Sequence, residues 1–184
     1  MIDINKIEGE LKDLPQDSII LIETSADNVS QVALEAIRVL TKKNDSGIVI
    51  SASRPYVNLM TNYKRKNIDT NKMFILDLIT KNHNAHAETE NVMFMQNASS
   101  LTDISLSVNQ YLKRLNGSKF FFIDSINTML IHNEPMVFAR FLHSVLTRMR
   151  ISGVGGLLIS LTDATNREVR AEIAQLCDKV IKIE

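Results

Sequence analysis

The sequence predicts an α/β fold of three layers, a mainly parallel sheet flanked on both faces by helices. Two observations carry that reading. Short, nearly continuous apolar runs recur along the 184 residues, without the polar alternation of a half-exposed sheet, so each reads as a strand covered on both sides. Between most of them lie segments whose apolar residues repeat at helical spacing, and strands alternating with helices imply right-handed βαβ crossovers.

The first run is Ser18 to Ile22, and after it Val29, Val32, Ala33, Ala36, Ile37 and Leu40 share one helical face. The second and third runs are Gly47 to Ile50 and Met73 to Leu78. Residues 81–100 read as a polar loop, most polar in "TKNHNAHAETEN" (80–91). A second helical face follows in Leu101, Ile104, Val108, Leu112 and Leu115, and then the run Lys119 to Ile123. The longest helix starts at "NEP", with Asn133 as its cap and Pro135 in the first turn, where a missing N–H costs nothing. Its stripe is Met136, Val137, Phe141, Val145 and Met149, and the glycines of "SGVGG" end it. The run Gly156 to Ser160, a helix carrying Val169, Ile173 and Leu176, and a weaker run from Lys179 to Ile183 complete the chain. Residues 1–17 read as an N-terminal extension of a single domain spanning 1–184, a length that supports one substantial core.

Composition narrows the function classes. The 45% hydrophobic and 23% charged fractions are those of an ordinary globular protein. Lysine plus arginine equals aspartate plus glutamate at 21 each, so no global field steers nucleic acid or anionic membrane toward the chain. The single cysteine, Cys177, excludes an internal disulfide framework and reads as a buried small hydrophobe. The opening residues lack the profile of a signal peptide, and no apolar run approaches a membrane span. The expectation is a cytoplasmic protein with no membrane association.

In open parallel sheets, ligands bind at the carboxyl ends of the strands. That rule nominates five junctions: "ETSADNVS", "SASRP", "DLITK", "DSINT" and "LTDAT". The most suggestive is "FFFIDS", where an apolar strand stops at Asp124 and Ser125. An aspartate there can hold magnesium, usually through water, or can serve as an ordinary turn or cap residue.

Taken together, the segments "SIILIETSADNVSQVALEAIRVL", "GIVISAS", "MFILDLI", "SLTDISLSVNQYLKRL", "KFFFIDSINTMLIHNEPMVFARFLHSVLTRMRISGVGGLLISLT" and "AQLCDKVIKIE" resemble the RecA/KaiC-like ATPase family. The resemblance implies the RecA-like P-loop NTPase fold and covers nearly everything from Ser18 onward. It lays the phosphate loop G-x-x-x-x-G-K-[ST] onto Glu23 to Ser30, where only Ser30 matches; Glu23 and Asn28 replace the glycines and Val29 the lysine. The family commonly carries a catalytic glutamate after the second strand, and this chain has Ser51-Ala52-Ser53-Arg54.

A phosphate loop needs glycines that let several N–H groups point inward, and a lysine that neutralises charge. Carboxylates at Glu23 and Asp27 would oppose a polyphosphate. Two unit charges about 4 Å apart interact by roughly 4 kcal/mol at an effective dielectric near 20. The same letters suit a helix start, with Asn28 and Gln31 as a capping box and Asp27 on the positive end of the dipole.

The expected function is therefore a non-catalytic regulatory or protein-interaction domain with a degenerate Walker A loop, a pseudo-ATPase. Its vestigial nucleotide site would comprise Ser30, Asp124 and Ser125, with no catalytic residue, no metal and no cofactor. The partner implied by the resemblance is a second copy or a related active ATPase. One alternative is an ATP-binding protein or ATPase with an atypical loop, using ATP and Mg. Another is a DNA-recombination accessory protein that grips nucleic acid through Lys64, Arg65 and Lys66, beside Tyr63. His83 and His86, with Glu88 and Glu90 nearby, read as a solvated loop, not as a metal site.

Overall fold

A computed structural model of the chain describes residues 4–12, 14–83, 90–162 and 167–183. Its centre is a seven-stranded sheet of β1 (Ile19–Thr24), β2 (Ser46–Ser51), β3 (Met73–Asp77), β4 (Val92–Phe94), β5 (Lys119–Asp124), β6 (Gly155–Leu161) and β7 (Lys179–Ile183). The spatial order is β4-β3-β2-β5-β6-β1-β7, and every neighbouring pair is parallel. The sheet is thus wholly parallel, and the six apolar runs supply all of its strands but one.

The helices are α1 (Ile4–Lys12), α2 (Val29–Lys43), α3 (Tyr56–Arg65), α4 (Leu101–Leu112), α5 (Ile126–Ile131), α6 (Pro135–Ile151) and α7 (Arg167–Gln175). Alternation along the strands sends Ile20, Ile22, Val49, Ile75, Phe120, Phe122, Leu157 and Ile159 to the face covered by α1, α2 and α3. Leu21, Ile48, Ile50, Phe121, Ile123 and Leu158 point to the opposite face, under α4, α5, α6 and α7. Both faces bury large apolar side chains, which is why the strands read as unbroken hydrophobic runs.

Several local expectations need correction. The polar loop 81–100 contains the edge strand β4, whose three residues are too few to show in a sequence pattern. The N-terminal extension contains α1, which buries Ile7 and Leu11 against the sheet. The cap of α6 is Glu134, whose carboxylate accepts from the Val137 N–H at 3.0 Å. Asn133 is otherwise engaged, donating through Nδ2 to Met129 O at 2.8 Å and to Ala98 O at 2.9 Å. Met136 and Val137 stand exposed, and the α6 core stripe runs through Phe138, Phe141, Leu142, Val145 and Met149. Among the described residues, no helix is long and apolar enough to cross a membrane.

Candidate functional site at the carboxyl edge of the sheet

The segment after β1 is a tight turn. Ser25 O accepts from the N–H groups of both Asn28 (3.1 Å) and Val29 (3.0 Å), and Asn28 O accepts from those of Gln31 and Val32, each at 3.0 Å. The backbone N–H groups of Asn28 and Val29 are consumed by the turn itself. The capping box is a correction: Asn28 makes no side-chain cap bond. Its φ of −98° and ψ of −19° are already helical, whereas a capping side chain curls back onto the helix from extended backbone.

Glu23 is the second correction. It belongs to β1, is 1% exposed, and alternates onto the face of α7. There both of its carboxylate oxygens accept from Arg170, one from Nε and the other from Nη2 at 2.6 Å. The pairing holds the Arg170 guanidinium above its ordinary pKa, through the hydrogen bond first and the charge second. Glu23 therefore adds no free negative charge beside α2. Asp27 is exposed.

On the α2 and α3 face, a narrow cleft is lined by Ser30, Ala33, Leu34, Arg54, Leu59, Asn62, Tyr63 and Asp124. Register brings this about: Ser51 lies beside Asp124 in the β2–β5 pair, so the chain leaving β2 passes the tip of β5. Asp124 Oδ1 accepts from Ser53 Oγ at 2.6 Å and from Ser53 N at 3.3 Å. Arg54 Nη2 donates to Ser30 Oγ. Burial pushes the Asp124 carboxyl from its ordinary 3.8 up to about 6, with the Ser53 hydrogen bonds and the Arg54 charge pulling the other way. Burial and the Asp124 carboxylate also hold the Tyr63 phenol well above its usual range. The peptide bond from Asp124 to Ser125 is cis, and Ser125 precedes α5 without making a side-chain cap bond.

Of the three residues nominated from sequence, Ser30 and Asp124 thus face one cleft, and Ser125 is buried beside it. Sequence reading missed the residues that engage them, Arg54 in the cleft wall and the exposed Ser53. The "SASRP" junction was nominated, but a serine and an arginine there carry no motif. Asp77, which opens the nominated "DLITK" junction at the tip of β3, was given no role from sequence, and it has no exposure. Asp77 accepts from Tyr56 N (2.7 Å), Ile79 N (2.7 Å), Thr80 N (2.9 Å) and Thr80 Oγ1, and so seats the start of α3. Thr24, at the tip of β1, is fully buried, and among the described residues its hydroxyl has no hydrogen-bond partner.

The remaining nominations lie elsewhere. Lys64, Arg65 and Lys66 are exposed at the carboxyl end of α3, which in a right-handed crossover points to the sheet's amino edge, away from the cleft. Their presumed aromatic neighbour is a correction, because Tyr63 is buried in the cleft wall. His86 and Glu88 lie outside the described residues, as does most of "LTDAT". Cys177 is half-buried, its Sγ donates to Ile173 O at 3.3 Å, and burial raises its thiol to about 12, so it stays protonated.

The family model described as "ATPase: KaiC" matches residues 13–184. No curated protein matches the chain. Among solved structures, flagellar accessory protein FlaH from Methanocaldococcus jannaschii superposes with a TM-score of 0.70 at 12% identity, over 99% of this chain and 76% of that one. The KaiC-like protein PH0186 from Pyrococcus horikoshii OT3 gives 0.61 at 13% identity, over 90% of this chain and 70% of that one. At such identities the likeness is one of fold, and it matches the parallel, helix-flanked sheet described above.

Proposed function

This chain belongs to the KaiC ATPase family, and from that premise we propose that it is a non-catalytic member acting through protein contacts as a regulatory partner. The observation that carries this reading is the cleft between Ser30 and Asp124, which the chain fills with its own side chains. The Arg54 guanidinium occupies the Ser30 hydroxyl, and Ser53 occupies the Asp124 carboxylate. A fixed cation beside Ser30 repels a divalent metal, and Asp124 Oδ1 already accepts from the hydroxyl and the N–H of Ser53. The turn after β1 spends the N–H groups of Asn28 and Val29 on its own carbonyls, with no lysine at residue 29. The residues present do not fit a magnesium–nucleotide group, and no catalytic step is derived through one.

The partner in this reading is a second copy or a related active ATPase of the same fold. Exposed Ile131, Met136 and Val137 around the corner between α5 and α6 support a protein contact there. One neighbour of this fold is itself termed an accessory protein, which is in keeping with that role. The deciding experiment is a thermal-shift series with Mg-ATP. No stabilisation at millimolar nucleotide is expected. A saturable rise in midpoint, together with turnover that Asp124→Ala abolishes, overturns the proposal.

A second reading rests on the unpartnered Thr24 hydroxyl at the tip of β1. In it the turn opens, Arg54 swings off Ser30, and ATP with Mg binds weakly. This version predicts a nucleotide-dependent shift that Ser30→Ala diminishes; an unchanged shift in that variant rules it out.

A further inference from the structure

At the amino edge of the sheet, away from the Ser30–Asp124 cleft, lies a half-open cavity of about 240 Å³. Its walls come from Leu11 of α1, Ile20 of β1, Val39 and Leu40 of α2, and Phe120 of β5, with Pro15 over the top. At the ~30 Å³ that a water-sized group occupies, there is room for roughly eight heavy atoms.

Four anchors keep this space from collapsing. Gln16 O lies so close to Gly155 that a Cβ there would come within 2.2 Å of it, so the 14–18 turn is pressed against β6. Ser18 O accepts from Gly156 N at 3.0 Å and fixes the other end of that turn. The Phe120 ring lies over Gly47, where a Cβ would sit 2.3 Å from the ring, and this turns the ring into a fixed wall. The end of α1 is tied by Lys43, whose ammonium donates to Lys12 O at 2.8 Å and to Leu11 O. The cavity is preformed.

Its charge is one-sided. Among the described residues no aspartate or glutamate lines it, whereas Lys43 and Lys119 both do. Lys43 donates only to the neutral carbonyls of Leu11 and Lys12, so among the described residues one of its three N–H donors is left over and its charge meets no anion. Three of the carbonyls at or just past the end of α2 are already engaged. Leu40 O accepts from Asn44 N and Nδ2, while Thr41 O and Asn44 O accept from Lys72.

We propose that this cavity is a binding site for a small amphipathic carboxylate, with its apolar body against Leu11, Ile20, Val39 and Phe120 and its carboxylate on the Lys43 ammonium. The site shares no residue with the Ser30–Asp124 cleft, and its fate is independent of the function proposed for that cleft.

Hexanoate, hexanol and hexylamine test it by titration of isotope-labelled protein, followed by NMR. Saturable shifts at Leu11, Ile20, Val39 and Phe120 are expected with hexanoate. Hexanol should bind at least tenfold more weakly, and hexylamine should not saturate. Lys43→Gln should lower hexanoate affinity at least tenfold while Lys43→Arg retains it. Leu40→Phe, checked for an unchanged melting midpoint, should fill the space and abolish binding. Equal binding of hexanoate and hexanol, normal binding in Leu40→Phe, or no saturation by hexanoate would each overturn the proposal.

Discussion

The two edges of the sheet solve opposite problems with the same strands. At the carboxyl edge, polar side chains at the strand tips meet one another and close the space: Asp124 with Ser53, Ser30 with Arg54, Glu23 with Arg170, Asp77 with the start of α3. At the amino edge, apolar walls held apart by Gly155 and by the Lys43 tether leave a cavity with an unneutralised cation. The first edge is where open parallel sheets bind their ligands. Here it is the second edge that is open. The difference teaches that apolar walls and paired polar groups leave different kinds of space, because a buried polar group already paired gains little from a newcomer.

The contrast can be broken most forcefully at Asp77. Replacing it with alanine leaves the N–H groups of Tyr56, Ile79 and Thr80 without their acceptor, at a fully buried site. A loss of about 4 kcal/mol is expected, given roughly 1–3 kcal/mol for each buried donor left unpaired and incomplete additivity. Urea unfolding measures it, and a loss below 1 kcal/mol would show that water replaces the carboxylate.

Asp124→Asn is expected to act in the opposite direction. The folded carboxyl stands at about 6 against an ordinary 3.8, so the folded state holds its proton more tightly than the unfolded chain. That contribution is fully present below about pH 4 and is lost as pH rises through 6, amounting to about 3 kcal/mol at most. Asparagine keeps an acceptor for Ser53 and has no charge to bury. It should therefore stabilise the protein above pH 6, leave it unchanged near pH 4, and flatten the profile between them. An unaltered pH profile in thermal unfolding would count against the buried-carboxylate account.

Arg170→Ala strips the partner from Glu23, which is 1% exposed. Breaking a fully buried pair costs about 3–5 kcal/mol, but the Arg170 side chain is 38% exposed, so water discounts this to roughly 2 kcal/mol. Glu23→Gln in the same background should recover part of the loss, and a double-mutant cycle reads the coupling. The smallest effect belongs to the amino edge. Lys43 is exposed, and Lys43→Met should cost about 0.5–1 kcal/mol by releasing the end of α1. Faster amide exchange in residues 7–12, with the rest of the protein unchanged, is the local signature.

The strands were legible because both faces of the sheet are covered. A strand with no solvent side must be apolar at nearly every position, as in "SIILI" and "KFFFI". β4 escaped because three residues after a polar stretch make no pattern, and α1 because, among the side chains described in this nine-residue helix, two, Ile7 and Leu11, reach the core. The candidate site was half legible. Ser30 and Asp124 stand where their chain positions put them. Arg54 and Ser53 were invisible as a filling, because their role exists only through contacts with residues 24 and 71 positions away.

By itself, then, the sequence determined that this chain folds as a covered parallel sheet, and that the turn from Glu23 to Ser30 holds neither glycine nor lysine. Those properties follow from local spacing and side-chain identity. Only the tertiary structure decided which way the tip residues point and whom they meet. The apolar run ending in Glu23 and Thr24 does not say which side chain takes which face, because both faces are equally hydrophobic. Strand order and register choose, sending Glu23 to an arginine 147 residues later and leaving Ser30 to the arginine after β2. That choice is a long-range one, made by packing seven strands at once.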